Sequence, residues 1–477
     1  MRCLPLLIYL FIYIIIWYNL LYKWSKDMFR IIDTPCGKVK GIIDTDSVKF
    51  KGIRYATSER WKYPTLVTSW NGVLEAFSYG PSCYQERAFK DESLTNSFYY
   101  NEYRKGLNYT YSEDCLFLNI FTPIDFDENS KYPVIVYIHG GSFRSCSADE
   151  KCFMDPIWPT KGVIGVTINY RLGLLGFGCL EGAKEESGYC GNYGLADQIT
   201  ALKWVKNNIA SFGGDPNNVT IMGQSAGAMS VQALCFSPES EGLFHKAVMV
   251  SGGGINRLMT LQPYTCKMEQ FSRLFKETGC KSIQELRKYD VTKLFESYYK
   301  LIEENKDMGM IGIPYIDGKY LVDSQYKMLD KLRNIPYLIG STSEDLMPYI
   351  LFSMSKKWCL LQDKNNFVPS YLWMFNRELP GDDSKAFHCA DMWYWFGTLS
   401  SSWRPFQEKD YILMDNMVTY LCEFARNGNP NHSSLPTWEP VSKNNKKAMI
   451  LGEGNLRMEK VNEFKLFLQM FKRPVVF

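Results

Sequence analysis

The chain has 477 residues, with 54 Lys and Arg against 51 Asp and Glu, which gives a formal net charge of +3. Hydrophobic residues make up 46% and charged residues 22%, so the chain can bury a large core and global disorder is excluded. The near-neutral charge leaves no basic footprint for a nucleic-acid partner. Only four histidines are present, so a histidine base or metal ligand must be His139, His245, His388 or His432.

A long apolar run lies near the N-terminus. Residues 4–22 carry no charge, and this length is close to the roughly 20 residues that a membrane span needs. Because no small-residue cleavage site follows, we expect a signal anchor and membrane association through residues 4–22. The alternative is a true start at Met28, which removes residues 1–27 and leaves a cytoplasmic or secreted location. Residues 28–477 contain no linker and are expected to form one large domain.

The predicted elements alternate between strands and helices. Apolar runs separated by glycine turns predict an antiparallel edge over residues 29–55. Helical spacing of apolar residues predicts a helix over 195–209, an additional helical layer over 263–305 and a last helix after Val461. This order favours an α/β fold, with a large, mostly parallel central sheet and helices on both faces. The predicted buried strands are 114–122, 133–139, 163–169, 219–222 and 335–340.

The motif G-x-S-x-G occurs once in a context that supports a reactive serine. Residues 223–227 read GQSAG, directly after the strand VTIM and before a helix-like segment. In such a nucleophile elbow a tight turn exposes the serine, here Ser225, and the flanking Gly223 and Gly227 allow the chains to approach closely. The helix that begins there places its positive end near a developing oxyanion. We therefore predict that Ser225 is a nucleophile.

A second glycine-rich loop follows another predicted central strand. Residues 139–143 read HGGSF after VIVYI, and such a loop supplies backbone N–H groups to an oxyanion hole. The expected donors are the N–H groups of Gly141 and Ser142, together with that of Ala226 after the nucleophile. The alternative for the loop by itself is an ordinary glycine turn.

Chain order selects the remaining two residues of a triad. In enzymes with this elbow the acid and then the histidine follow the serine, and His388 is the histidine with that order and suitable surroundings. The acid should follow a late strand, where Glu344 and Asp345 are adjacent; Asp345 is the first choice and Glu344 the alternative acid. It would orient the imidazole and stabilise the imidazolium.

Several long motifs in order make the chain resemble the type-B carboxylesterase family, which includes the cholinesterases and has the α/β-hydrolase fold. The amino-acid sequences of these motifs are similar to those of the bacterial members of the family. The resemblance runs from near Gly37 to the C-terminus. The motifs are SEDCLFLNIFTP (112–123), HGGSF (139–143), NYRLG (169–173), GNYGLADQ (191–198), ALKWVKNNIASFGGDPNNVTIMGQSAGA (201–228) and FHCADMWYWFG (387–397).

The resemblance implies a role for individual residues. Its nucleophile falls on Ser225, its base on His388 and its acid on Asp345, where many members have Glu. Its oxyanion donors fall on the three residues named above. It also implies a disulfide between Cys83 and Cys115. In one departure, Gln224 stands where the family frequently has Glu.

These residues predict a serine carboxylic ester hydrolase that acts on small-molecule esters through an acyl-enzyme and needs no metal or organic cofactor. A non-catalytic, membrane-anchored binding or adhesion protein on the same fold is the alternative. A thioesterase or amidase would use the same triad. Trp393, Tyr394 and Trp395 are candidates for an apolar pocket wall, with core positions as the alternative.

Overall fold

The computed structural model describes residues 28–95, 97–255, 263–304, 312–324, 327–452 and 454–471. The apolar run at residues 4–22 lies outside these ranges, so the predicted membrane anchor is not tested by the structure. Of the helices within the described ranges, none combines the length and the apolar character that a bilayer span requires.

One large sheet runs through the molecule, and its spatial order is β1-β2-β3-β9-β11-β10-β12-β13-β14-β15-β16-β17. The described strands are β1 (Phe29–Thr34), β2 (Gly37–Ile43), β3 (Ser47–Arg54), β4 (Ala56–Thr57), β5 (Thr65–Leu66), β6 (Val73–Glu75), β7 (Ser82–Cys83), β8 (Tyr111–Ser112), β9 (Phe117–Pro123), β10 (Tyr132–Ile138), β11 (Ile164–Ile168), β12 (Gly214–Gln224), β13 (Lys246–Val250), β14 (Tyr337–Thr342), β15 (Ser370–Phe375), β16 (Ala448–Leu451) and β17 (Arg457–Glu459). From β11 to β16 every neighbouring pair is parallel. The outer pairs in this order are antiparallel, and the short strand β6 adds to β2 in parallel. The predicted, mostly parallel sheet with an antiparallel edge is confirmed.

Helices cover both faces of this sheet. The described helices are α1 (Phe98–Tyr103), α2 (Gly173–Phe177), α3 (Ala183–Ser187), α4 (Tyr193–Asn208), α5 (Ala226–Phe236), α6 (Tyr264–Thr278), α7 (Ile283–Lys288), α8 (Val291–Glu304), α9 (Pro348–Lys364), α10 (Met392–Phe396), α11 (Glu408–Asn427) and α12 (Glu463–Gln469). Buried residues of α4, α5 and α9 join the core on one face, and those of α10 and α11 join the core on the other. Such double coverage is what a parallel sheet requires.

The central strand β10 shows why the sequence of a buried strand is continuously apolar. Val134, Val136 and Ile138 point into the core on one face, whereas Ile135 and Tyr137 point into the core on the other. Successive side chains of a strand alternate between faces, so both sets must be apolar when both faces are covered.

The additional helical layer predicted over 263–305 is also confirmed. It consists of α6, α7 and α8, which pack Phe271, Leu286 and Phe295 into a separate core. Leu174 of α2 and Tyr193 at the start of α4 contribute to the same core. The layer is thereby attached to the segment that joins β11 to β12.

Candidate active site

The predicted nucleophile lies at the end of a central parallel strand. Ser225 follows β12 and precedes α5. Its φ is 55° and its ψ is −120°, a backbone conformation that residues other than glycine rarely adopt. Its N–H donates to the carbonyl of Val250 at 2.9 Å, which ties the turn to the neighbouring strand β13. The strand, turn and helix predicted around G-x-S-x-G are all present.

The two glycines of the motif are required because backbones pass too close for any side chain. A Cβ atom on Gly223 would lie 2.2 Å from the carbonyl oxygen of Gly227. A Cβ on Gly227 would lie 2.0 Å from the carbonyl oxygen of Ile138, at the end of β10. These distances are far below van der Waals contact, so the turn and the central strand could not both keep their positions.

The predicted oxyanion loop lies beside the serine. A Cβ on Gly140 would be only 3.2 Å from the Cβ of Ser225. Gly141 and Ser142 have φ of 88° and 55°, and within the described part of the chain their N–H groups donate to no protein acceptor. Ala226 is the first residue of α5, where an N–H group has no partner inside the helix. The loop thus presents unused donors near Ser225.

The structure brings His388 and Asp345 together. Nδ1 of His388 lies 2.6 Å from Oδ1 of Asp345, and both side chains are almost fully buried. Pairing of the backbone aligns them: the N–H of Glu344 donates to the carbonyl of Ala386 at 3.2 Å. The side chain of Glu344, the alternative acid, instead accepts from Nε2 of Gln469 at 2.7 Å. Asp345 is therefore the carboxylate that contacts the imidazole.

The Asp345 carboxylate also accepts hydrogen bonds from its own turn. The N–H of Leu346 donates to Oδ1 at 2.8 Å, and the hydroxyl of Thr342 donates to Oδ2 at 3.1 Å. Burial raises the pKa of Asp345, but the charge and hydrogen bond of His388 outweigh it and hold the pKa below its usual value. Burial opposes the charge on His388, but the Cys389 sulfur and the Asp345 carboxylate outweigh it and raise the pKa of the imidazole.

Gln224 contacts the other nitrogen of the imidazole, which the sequence motif did not reveal. Its amide nitrogen lies 3.1 Å from Nε2 of His388. Because Nδ1 donates its proton to Asp345, Nε2 of the neutral ring is an acceptor and the amide donates to it. In the structure His388 is therefore held between an acid on one side and an amide on the other.

These groups meet in one cavity of about 380 Å³, lined by Gly141, Ser142, Ser225 and His388. They come from loops that follow β10, β12, β14 and β15, and the carboxyl ends of parallel strands are where α/β sheets place their sites. Gly141 and His388 are more than 240 residues apart in the sequence, and the sheet brings them to the same cavity.

One wall of the cavity is ionic, and sequence patterns did not indicate it. Arg87 pairs with Glu150 at 2.6 Å, and Arg104 pairs with Glu92 at 2.8 Å. Burial alone would raise the pKa of Glu150, but the charge of Arg87 and then that of Arg104 outweigh it and keep the pKa low. The two cations and two anions balance, so this wall is polar without a net charge.

Of the two interpretations given for Trp393, Tyr394 and Trp395, a pocket wall and core positions, the structure shows core positions. These side chains are fully buried in the core under α11 rather than in the cavity lining. Their polar atoms bond to other buried groups, as when the hydroxyl of Tyr394 donates to Asp410 at 2.8 Å. The aromatic side chains that line the cavity come from elsewhere and are Tyr99 and Tyr103 of α1 and Phe153.

The other three histidines lie in different surroundings. His139 is buried, stacks on Tyr170, and contacts the carbonyl of Gly140 through Nδ1; burial lowers its pKa to about 4, so it stays neutral. His245 accepts from the N–H of Val219, and His432 is exposed. The structure also joins Cys83 to Cys115 by a disulfide, the pairing that the resemblance implied.

Comparisons with known proteins agree with this fold. Para-nitrobenzyl esterase of Bacillus subtilis (strain 168) is 36% identical over 333 residues, which are 68% of this chain and 64% of that protein. Fumonisin B1 esterase of Sphingopyxis macrogoltabida is 33% identical over 323 residues, or 65% of this chain and 55% of that protein. The chain therefore spans less than two thirds of the length of these curated relatives.

Solved structures extend the similarity. A PNB esterase superposes with a TM-score of 0.79 at 26% identity and covers 93% of this chain and 99% of its own. A thermophilic PNB esterase gives 0.79 at 27% identity, with 93% and 100% covered. These neighbours confirm the predicted α/β-hydrolase fold, and the bacterial relatives confirm the predicted resemblance. The model of the carboxylesterase family matches residues 29–378 and 344–466, and the chain belongs to that family.

Proposed function

We propose that this protein is a serine carboxylic ester hydrolase whose reaction is carried out by Ser225, His388 and Asp345, within one domain over residues 28–477. The observation that carries the proposal is the 2.6 Å hydrogen bond between Asp345 and His388 in the cavity that Ser225 also lines. Membership of a family with esterase relatives supports the same reaction class.

In the first half of the reaction, Nε2 of His388 takes the proton of the Ser225 hydroxyl while Oγ attacks the ester carbonyl carbon. Nε2 must first exchange the amide of Gln224 for this hydroxyl, because the two compete for one lone pair. The N–H groups of Gly141, Ser142 and Ala226 hold the oxyanion that forms, and each such donor is typically worth about 10²–10³ in rate. Asp345 stabilises the imidazolium, which then protonates the leaving alkoxide.

In the second half, His388 takes a proton from water, which attacks the acyl-enzyme at the same carbonyl carbon. The tetrahedral intermediate collapses, the imidazolium returns its proton to Ser225, and the carboxylic acid leaves. The substrate class is a small carboxylic ester. The ionic wall formed by Arg87, Arg104, Glu92 and Glu150 favours a polar group on one side of the ester, and the tyrosines of α1 contact its apolar part.

A fluorophosphonate probe tests the proposal against a non-catalytic binding protein on the same fold. Such a probe phosphonylates only a serine whose hydroxyl is activated by a base and whose oxyanion is stabilised. We expect stoichiometric labelling of Ser225, identified by mass spectrometry of the modified peptide, and no labelling after heat denaturation. A folded protein that remains unlabelled would support the binding or adhesion alternative.

The pH dependence of hydrolysis should follow His388. Only the neutral imidazole accepts a proton, so kcat/KM is expected to rise as pH increases through the pKa of His388. Because the Cys389 sulfur and the Asp345 carboxylate outweigh burial and raise that pKa, the midpoint should lie above the ordinary histidine value of about 6.5. The measurement is kcat/KM for p-nitrophenyl acetate from pH 5 to 9. An acid limb with its midpoint below the ordinary value would contradict the assignment.

A further inference from the structure

Two free cysteines outside the active site lie in direct contact. The sulfur atoms of Cys179 and Cys190 are 2.7 Å apart, well inside the contact distance of two non-bonded sulfurs. Both side chains are buried, with 0% and 2% exposure, in the core of the additional helical layer. They are the two ends of the loop that carries α3 between α2 and α4.

This loop is one of the attachments of the helical layer to the sheet. The amino group of Lys184 donates to the hydroxyl of Tyr264 at 2.6 Å, which links α3 to α6. Glu186 accepts two hydrogen bonds from Arg287 of α7, each 2.7 Å long. Between its buried ends the loop is exposed at residues 181 and 185–188, whereas Ala183 is buried in the core of the helical layer, so both this apolar contact and the polar contacts hold its position.

We propose that Cys179 and Cys190 form a second intramolecular disulfide that locks this loop against the helical layer. The oxidant is a low-molecular-weight disulfide such as oxidised glutathione. The Cys179 thiolate attacks one sulfur of that disulfide and releases one thiolate of glutathione. Cys190 then attacks the mixed disulfide at the Cys179 sulfur and releases the second glutathione thiolate. The two protein thiols lose two electrons and two protons, and one glutathione disulfide becomes two glutathione thiols.

The local chemistry supports Cys179 as the attacking sulfur. The hydrogen bond from Cys190 lowers the pKa of Cys179, although burial opposes this. Elsewhere, burial raises the pKa of the buried cysteines Cys235 and Cys422 to about 12. Because the pair is buried in the folded protein, exchange requires opening of the exposed loop or takes place during folding.

Tryptic mapping under non-reducing conditions tests the proposal directly. Lys184 lies between the two cysteines, so trypsin separates Cys179 on peptide 172–184 from Cys190 on peptide 185–203. After incubation of the native protein with oxidised glutathione and alkylation of free thiols, we expect the two peptides to be recovered as one linked species. Peptides 63–87 and 106–131, joined through Cys83 and Cys115, are the internal control.

A stability measurement shows whether the bond also locks the loop. Closing a loop of this length in the unfolded chain should raise Tm by about 2–3 °C for a protein of this size. We expect that rise in the glutathione-treated wild type and none in Cys190→Ala, while Cys235→Ala should still gain it. Separately alkylated peptides, with the control pair linked, would overturn the proposal. A linked pair without any gain in Tm would overturn the locking role.

Discussion

Replacement of Ser225 by alanine is expected to reduce kcat for p-nitrophenyl acetate by about 10⁴–10⁶-fold. The loss is large because the variant has no hydroxyl to form the acyl-enzyme, and water must attack the ester without covalent catalysis. A residual rate above that of the uncatalysed reaction should remain, because the donors at Gly141, Ser142 and Ala226 are backbone groups that the substitution leaves in place.

The matched control for this variant is Ser97→Ala. Ser97 lines the same cavity but lies outside the elbow, the oxyanion loop and the triad, so its removal should change kcat by less than about twofold. Thermal unfolding of both variants checks that they are folded. Undiminished turnover by the folded Ser225→Ala protein would show that a different group attacks the ester.

Replacement of Asp345 by asparagine is expected to lower kcat by about 10⁴-fold with little change in fold. The asparagine amide would donate to Nδ1 of His388, which moves the ring proton to Nε2, the nitrogen that must accept the Ser225 proton. The variant also loses the negative charge that raises the pKa of His388. The acid limb of its residual kcat/KM should therefore shift to lower pH.

Glu344→Gln provides the comparison that decides between the adjacent acids. The Glu344 side chain contacts Gln469 rather than the imidazole, so its charge can be removed without changing the ring's tautomer. We expect its kcat to stay within about threefold of the wild type. Equal losses in the two variants, or a larger loss in Glu344→Gln, would contradict the assignment of Asp345 as the acid.

The elbow turn and the position of the glycine-rich loop at residues 139–143 were predictable from the sequence because each is a contiguous segment under local steric control. A turn between a strand and a helix needs small residues at Gly223 and Gly227, whatever the rest of the chain does. The buried strands were equally predictable, since a strand covered on both faces must be apolar at most positions. Their predicted bounds differ from those observed by only a few residues at most ends, apart from β12, which extends to Gly214.

What followed His388 along the chain was harder to interpret. An aromatic cluster adjacent to a predicted base suggested a pocket wall, but the helix α10 turns Trp393 and Trp395 into the core. The ionic wall of the cavity was not predicted, because its residues are also brought together only by the tertiary structure. Arg87 and Glu150 are 63 residues apart and show no local pattern, and only folding makes them neighbours.

The sequence by itself determined the fold class and singled out Ser225, the loop at residues 139–143 and His388 as candidates, because periodicity, turn sterics and chain order are properties of short segments or of their succession. The tertiary structure alone decided which of two adjacent carboxylates contacts the imidazole. That choice depends on the pairing of Glu344 with the loop at Phe387, which turns consecutive side chains in opposite directions. The tertiary structure also determines the contact between Cys179 and Cys190, because the two ends of this loop come together only when they pack against the helical layer.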